Sequence, residues 1–263
     1  TSPFAFTGNK FEFRALGSAL NIACPNMMIN VIVADAMESM LETLEKASPA
    51  DFEKTAKKLI KETYLAHKAI VFNGNNYSSE WIDIESKKRG LPEIKSTPEA
   101  LPYYTLPKNV ELLSRYGVLT ARECEARKEI LLEQYAKVIN IEAYTMYKMT
   151  AKEILPACVE FMNVLSESIH RKKSLDMSYD YEGSVLYKAS KLVDSAYAKN
   201  NKLEELRRTA ASMADVGKQT MYLHDVVLAE MDSLREIIDA LELLCSSDYW
   251  PLPSYGDMLF YAD

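Results

Sequence analysis

A run of apolar residues stepping by three and four near the C-terminus limits this chain most. Met221, His224, Val227, Met231, Leu234, Ile238, Leu241 and Cys245 recur at intervals of 3, 3, 4, 3, 4, 3 and 4. Asp225, Glu230, Asp232, Arg235, Glu236, Asp239 and Glu242 fill positions between them. That spacing approaches an a/d heptad seam, which predicts a helix packed lengthwise against another at a shallow angle. Two earlier stripes have the same period: Leu132, Tyr135, Ile139, Ala143 and Met146, then Ile154, Cys158, Phe161, Leu165 and Ile169. Pro156 interrupts the second and predicts a kink or a division there. The sequence has 8 glycines in 263 residues, too few for the many tight hairpins of an all-β fold. The expectation is a mainly α protein with about 65–70% helix, where globular chains average roughly a third.

Upstream, Asn9-Lys-Phe-Glu-Phe-Arg14 alternates charged and aromatic residues. Period 2 is the strand period, so Lys10, Glu12 and Arg14 share one face and Phe11 and Phe13 the other. Pro25 marks the first position of a helix reaching about Ala47. Ser48-Pro49 predicts the start of another, ending near Phe72, with Ile60, Tyr64, His67 and Val71 on one stripe. Asn73-Gly-Asn-Asn76 reads as a turn. Ser78 caps a short helix stopping at Gly90. Residues 91–107 hold four prolines and form a loop with room for one helical turn. A further helix ends at Gly117, and Thr120 opens the long helical region. The segment Trp250-Pro-Leu-Pro-Ser-Tyr-Gly256 excludes regular helix. Tyr249, Trp250, Tyr255, Phe260 and Tyr261 make an aromatic tail that is expected to dock on its own domain or on a neighbouring subunit.

Composition removes several classes of function. The net charge of −7, from 31 basic and 38 acidic residues, argues against a general nucleic-acid or anionic-membrane binder. No uncharged apolar run reaches the roughly 18 residues of a membrane span. Cys24, Cys124, Cys158 and Cys245 lie 100, 34 and 87 residues apart. That spacing excludes a zinc knuckle and predicts reduced, buried thiols of a cytoplasmic protein. Gly217-Lys218 lacks the flanking residues of a phosphate-binding loop. One Glu-x-x-His pair, Glu167 and His170, cannot hold two metals. His170, ahead of Arg171, Lys172 and Lys173, suits a cationic helix end. His67 and His224 are expected as core histidines, and Met27, Met28, Met37 and Met40 as core packing. The charged face of the strand remains. A carboxylate such as Glu12 can hold Mg²⁺ or Mn²⁺, and a guanidinium such as Arg14 can grip a carboxylate or phosphate. The competing reading is a half-exposed strand with its charges in water. The chain opens on Thr1 without an initiator Met or a signal segment, so it is expected to be a processed product or a fragment.

The segment Thr1-Ser-Pro-Phe-Ala-Phe-Thr-Gly-Asn-Lys-Phe-Glu-Phe-Arg14 resembles the closing active-site segment of glutamine synthetases, most of all the long type III branch. The resemblance continues at Cys24-Pro-Asn26, at Gly90-Leu-Pro-Glu-Ile-Lys-Ser-Thr-Pro-Glu-Ala-Leu101 and at Tyr116-Gly-Val-Leu-Thr120. It ends on Trp250-Pro-Leu-Pro-Ser-Tyr-Gly-Asp-Met-Leu-Phe-Tyr261. Residues 48–89 and roughly 150–263 look like additions of the type III branch. The resemblance implies one strand of a catalytic barrel within residues 1–24. It implies a helical catalytic region over 25–149, with an inserted hairpin at about 48–89, and a type III extension over 150–263. It also implies a reaction, the joining of ammonia to the γ-carboxylate of glutamate with ATP through γ-glutamyl phosphate. Mg²⁺ or Mn²⁺ assists that reaction in a cytoplasmic homo-oligomeric ring. Position by position, Glu12 falls on the family's metal-ligand glutamate. Arg14 falls on the arginine that contacts substrate carboxylate or the transferring phosphate. Lys10 falls near the nucleotide phosphates, where arginine is commoner. The family's other metal-ligand glutamates and its histidine lie upstream of this segment, so the chain alone is expected to be inactive and to bind no cofactor. A non-catalytic helical interaction or oligomerisation module is the alternative, and the strand around Glu12 discriminates against it.

Overall fold

The computed structural model describes residues 4–14, 21–75, 78–92 and 94–260. Thr1 to Pro3 of the recognised segment, the connector 15–20, Asn76 of the expected turn, Glu93 and Tyr261 of the tail lie outside them. Two compact units are present: Thr1–Lys95 with Tyr103–Glu125, and Ser96–Pro102 with Ala126–Asp263. Among the described residues no helix is long and apolar enough to cross a membrane.

The first unit begins with a hairpin. Strands β1 (Phe4–Phe6) and β2 (Phe11–Phe13) pair antiparallel, with Phe4 opposite Phe13, Ala5 opposite Glu12 and Phe6 opposite Phe11. The Thr7 amide donates to the Lys10 carbonyl at 2.8 Å. Gly8 makes the reversal at φ 101°, a sign that side chains resist. The expected strand is therefore the second arm of a pair. Helix α1 (Ala23–Leu44) starts two residues ahead of Pro25. Pro25 still sits in the first turn, where amides have no intrahelical acceptor, so its missing N–H costs nothing. Helix α2 (Phe52–His67) starts later than Ser48-Pro49 suggests. The Ser48 hydroxyl instead accepts the Asp51 amide at 3.2 Å and closes a turn before the helix.

The stripe on α2 is helical but not buried. No residue of α2 is buried, Ile60 is 69% exposed, and His67 is on the surface rather than in a core. The same correction applies to Met37 and Met40, which are exposed, whereas Met27 and Met28 do pack. A widened π turn, Glu80–Glu85, runs into α3 (Ser86–Lys88), with the Ser78 hydroxyl accepting the Trp81 amide at 3.3 Å. The chain then turns at Gly90 with φ 70°. Helix α4 (Thr97–Ala100), in the second unit, opens on a Ser96–Glu99 capping box. Helix α5 (Pro107–Arg115) closes on a Schellman motif. Gly117, at φ 64°, donates to Ser114 O at 3.0 Å and Val118 to Leu113 O at 2.9 Å. Val31, Leu113, Leu119 and Cys124 form the small core of this unit. The Tyr116 hydroxyl, 2.5 Å from a Glu38 oxygen, and an Arg115–Asp35 ion pair fasten α5 to α1.

Helix α6 (Ala121–Met149) starts at Thr120, whose hydroxyl and Glu123 form a reciprocal cap. The boundary between the units falls in its first turns. A π turn, Thr150–Ile154, joins it to α7 (Leu155–Ser174). The expected break at Pro156 takes this form, since its ring and missing N–H forbid a regular turn behind it. The remaining helices are α8 (Asp180–Ala211), α9 (Val216–Tyr222), α10 (Leu228–Glu242) and α11 (Tyr255–Leu259), with a π turn at Leu223–Val227. Both α7 and α10 pack along α8. The core holds Ile139, Cys158, Leu203, Val227, Leu234 and Leu241, and Ala143 and Ala196 let backbones approach.

The seam is real, with two changes. Glu230, one of the charged residues between the seam positions, is buried, and Lys199 and Lys202 of α8 meet its carboxylate at 3.3 and 3.0 Å. His224 is only half-buried, its Nδ1 2.8 Å from Asp225. None of the four cysteines forms a disulfide; Cys124 and Cys158 are buried, while Cys24 and Cys245 are half-buried. In the tail, the Tyr249 ring meets Phe161 at 5.8 Å, and Trp250 and Leu252 reach the core. Beyond them a Ser254 cap starts α11, so Tyr255 and Gly256 are helical after all, and Tyr255 and Phe260 stay exposed.

Candidate functional site

Pleating places Lys10, Glu12 and Arg14 side by side, because alternate residues of a strand share a face. Glu12 sits in the middle. The Arg14 guanidinium donates to one carboxylate oxygen at 2.8 Å, and Lys10 Nζ lies 3.8 Å from the other. The Phe11 and Phe13 rings occupy the opposite face and are exposed. The structure thus brings the three candidate residues together as one cluster. Two cations around one carboxylate leave a net positive charge, which suits a phosphate or carboxylate better than a metal ion. Each pair is open to water and contributes little to stability.

The donor set decides whether a divalent cation fits. Mg²⁺ takes about six oxygen ligands and Ca²⁺-like geometries more. Among the described residues no group of three His, Cys, Asp or Glu is placed to hold an ion. Glu12 supplies one carboxylate, already shared by Arg14 and Lys10. These residues by themselves do not fit a metal site.

A second charged cluster, with no counterpart among the residues expected from the sequence, lies in the other unit. Glu204 on α8 is buried and accepts from Arg207 Nε at 2.7 Å and Nη2 at 2.9 Å, and from Arg208 Nε at 2.6 Å. Arg207 also donates to Asn140 of α6 at 3.0 Å and stacks over the Tyr144 ring at 4.9 Å. The Arg207 hydrogen bonds, opposed by burial and reinforced by Arg208, hold the Glu204 carboxyl down at about 2. The i,i+3 and i,i+4 spacing of Glu204, Arg207 and Arg208 was the available signal. Every donor and acceptor named is matched, so the cluster ties helices together and offers no open chemistry. Burial, with Cys245 adjacent, pushes the Cys158 thiol up to about 12, which makes it a poor nucleophile at neutral pH.

Comparison with known proteins accounts for the hairpin and the helices together. Residues 55–173 match the glutamine synthetase C-terminal domain. The chain is 35% identical over 271 residues to a type-3 glutamine synthetase of Dictyostelium discoideum, a match covering 99% of this chain and 36% of that protein. It is 37% identical over 266 residues to a glutamine synthetase of Butyrivibrio fibrisolvens, covering 99% of this chain and 37% of that one. A glutamine synthetase of Bacteroides fragilis is 31% identical over 268 residues, with the same two shares. The chain therefore spans little more than a third of the length of these relatives. From the charged hairpin to the tail, the chain is thus similar over nearly its whole length to glutamine synthetases, a type-3 enzyme among them.

Proposed function

We propose that these residues form the C-terminal part of an enzyme that makes glutamine from glutamate, ammonia and ATP through γ-glutamyl phosphate. Identity to named glutamine synthetases over 99% of the chain supports this reading most strongly. The complete enzyme would use ATP with Mg²⁺ or Mn²⁺ and assemble as a cytoplasmic homo-oligomeric ring.

Within it, Arg14 is proposed to contact substrate carboxylate or the transferring phosphoryl group, where a guanidinium offsets developing charge. Lys10 is proposed to face the nucleotide phosphates. Glu12 is proposed as one carboxylate of a metal site whose other ligands lie outside the described residues. Until such a site is complete, Glu12 has Arg14 and Lys10 as its partners. Its second task is then to hold both cations on the reacting side of the strand.

In the full-length enzyme, Arg14→Ala is expected to lower kcat by about 100-fold or more while the oligomer stays intact. Glu12→Gln is expected to raise the Mg²⁺ concentration needed for half-maximal rate. Steady-state assays of ATP-dependent glutamine formation, with sizing of both variants, check this; wild-type rates in both would refute the assignments. The 263-residue chain alone is expected to form no glutamine under the same conditions. Residues 150–263 are proposed to make contacts between subunits. Truncation of the full-length enzyme after residue 149 should then reduce the assembly seen in sedimentation, and an unchanged mass would refute the contact role.

A further inference from the structure

The second unit contains a cavity of about 450 Å³ between the C-terminal half of α6, its π turn, α10 and the loop after α10. None of its lining residues belongs to the segment around Glu12, and nothing above gives it a task. Its size falls within the roughly 300–1,000 Å³ typical of small-molecule sites. Its walls are of two kinds. Met146, Met149, Ile154 and Trp250 supply apolar surface, while Glu142 and Glu242 stand among the polar lining.

The apolar wall is built, not incidental. The Trp250 amide donates to Ser246 O at 3.0 Å, and the neighbouring Tyr249 ring is seated on Phe161. Pro251 and Pro253 fix the backbone on either side of Leu252. An indole face and two thioethers together favour a flat ring, through stacking and sulfur–aromatic contacts. The charges decide the rest. The one cation in the lining, Arg235, is committed to Asp239, with Nε 2.5 Å from its carboxylate. Glu142 and Glu242 are exposed and make no close ion pair among the described residues, though the charge of Glu242 also acts on Arg235. The cavity therefore presents aromatic-binding walls and an excess of negative charge, with Glu142, Asp239 and Glu242 against Arg235 in its lining, and an indole also attracts cations to its face.

We propose that this cavity is a binding site for a small aromatic amine, its ring against Trp250 and the methionines and its ammonium toward Glu142 and Glu242. The test of this site does not depend on the proposed synthetase reading.

Calorimetric titration of the 263-residue chain with 2-phenylethylamine tests it, with phenylacetate as a probe of similar shape and opposite charge. The amine is expected to bind saturably with one site per chain, and phenylacetate about tenfold or more weaker. Glu142→Gln with Glu242→Gln should weaken the amine by about tenfold, since two exposed charges are lost. Both positions are at the surface, and unchanged far-ultraviolet circular dichroism confirms the fold of the double variant. In a Trp81→Phe background, Trp250 is the single remaining tryptophan, and its emission should change with the same saturation curve. Equal affinity for phenylacetate, an unaltered affinity in the double variant, or no saturable response to millimolar amine would each overturn the proposal.

Discussion

Two glycines show how one missing atom acts in opposite directions. Gly117 ends α5 at φ 64°, and a Cβ built there would meet nothing within 4 Å. Any penalty for a side chain is thus conformational and not steric crowding by neighbours. Gly117→Ala is expected to destabilise the chain by about 1 kcal/mol, the cost of left-handed backbone for an L-residue. Gly183 lies in the first turns of α8 with ordinary helical backbone, and its nearest neighbour would be the Tyr179 ring at 4.0 Å. Gly183→Ala is expected to stabilise by about 0.5–1 kcal/mol, because alanine loses less freedom on entering a helix. Urea denaturation of both variants checks the pair. Equal signs would show that backbone conformation is not the controlling difference.

At the level of elements, the tie between α6 and α8 carries a pH signature. The Glu204 carboxyl is held at about 2 in the folded chain, first by Arg207, against roughly 4.3 for an unfolded glutamate. A lowered folded value means that the stabilisation is complete above about pH 4.5 and drains away as pH falls toward 2. The full shift corresponds to at most about 3 kcal/mol. Glu204→Gln should therefore lose stability at neutral pH, and its gap from the parent chain should close on acidification. Denaturation curves at pH 7 and pH 3 measure this, and a gap independent of pH would contradict it. The Glu204–Arg207–Arg208 spacing was visible in the sequence, but Asn140 was not, since it lies 67 residues earlier. The long helices were legible for a related reason: their stripes repeat many times without interruption. Strand β1, Phe-Ala-Phe, carries no alternation of charged and apolar residues that could mark it. The stripe on α2 revealed a helix but not its exposure, because burial depends on a partner that local pattern cannot supply. At the candidate site, period 2 sufficed to group Lys10, Glu12 and Arg14. It says nothing of ligands from other elements.

Across the whole molecule the two units differ in what they bury. Among the described residues, the first has a core of four around Val31 and Leu113, while the second has an extended cluster centred on α8 and α10. Local stability follows buried contact, so amide exchange should be fastest in α2, which buries nothing, and slowest in α8 and α10. Hydrogen-exchange mass spectrometry reads this directly, and protection of α2 equal to that of α10 would refute it. The π turns at Thr150–Ile154 and Leu223–Val227 bear on the same core. Each holds one residue more than an α turn needs. Deleting Ala151 would let the helix heal with its hydrogen bonds complete, yet everything beyond would rotate by about 100° about the axis. Cys158 and Leu165, now buried, would swing away from α8 while helix content scarcely changed. The extra residue is a phase setting: two stretches that are each regular alone stay in step with one shared neighbour only because the count between them is off by one.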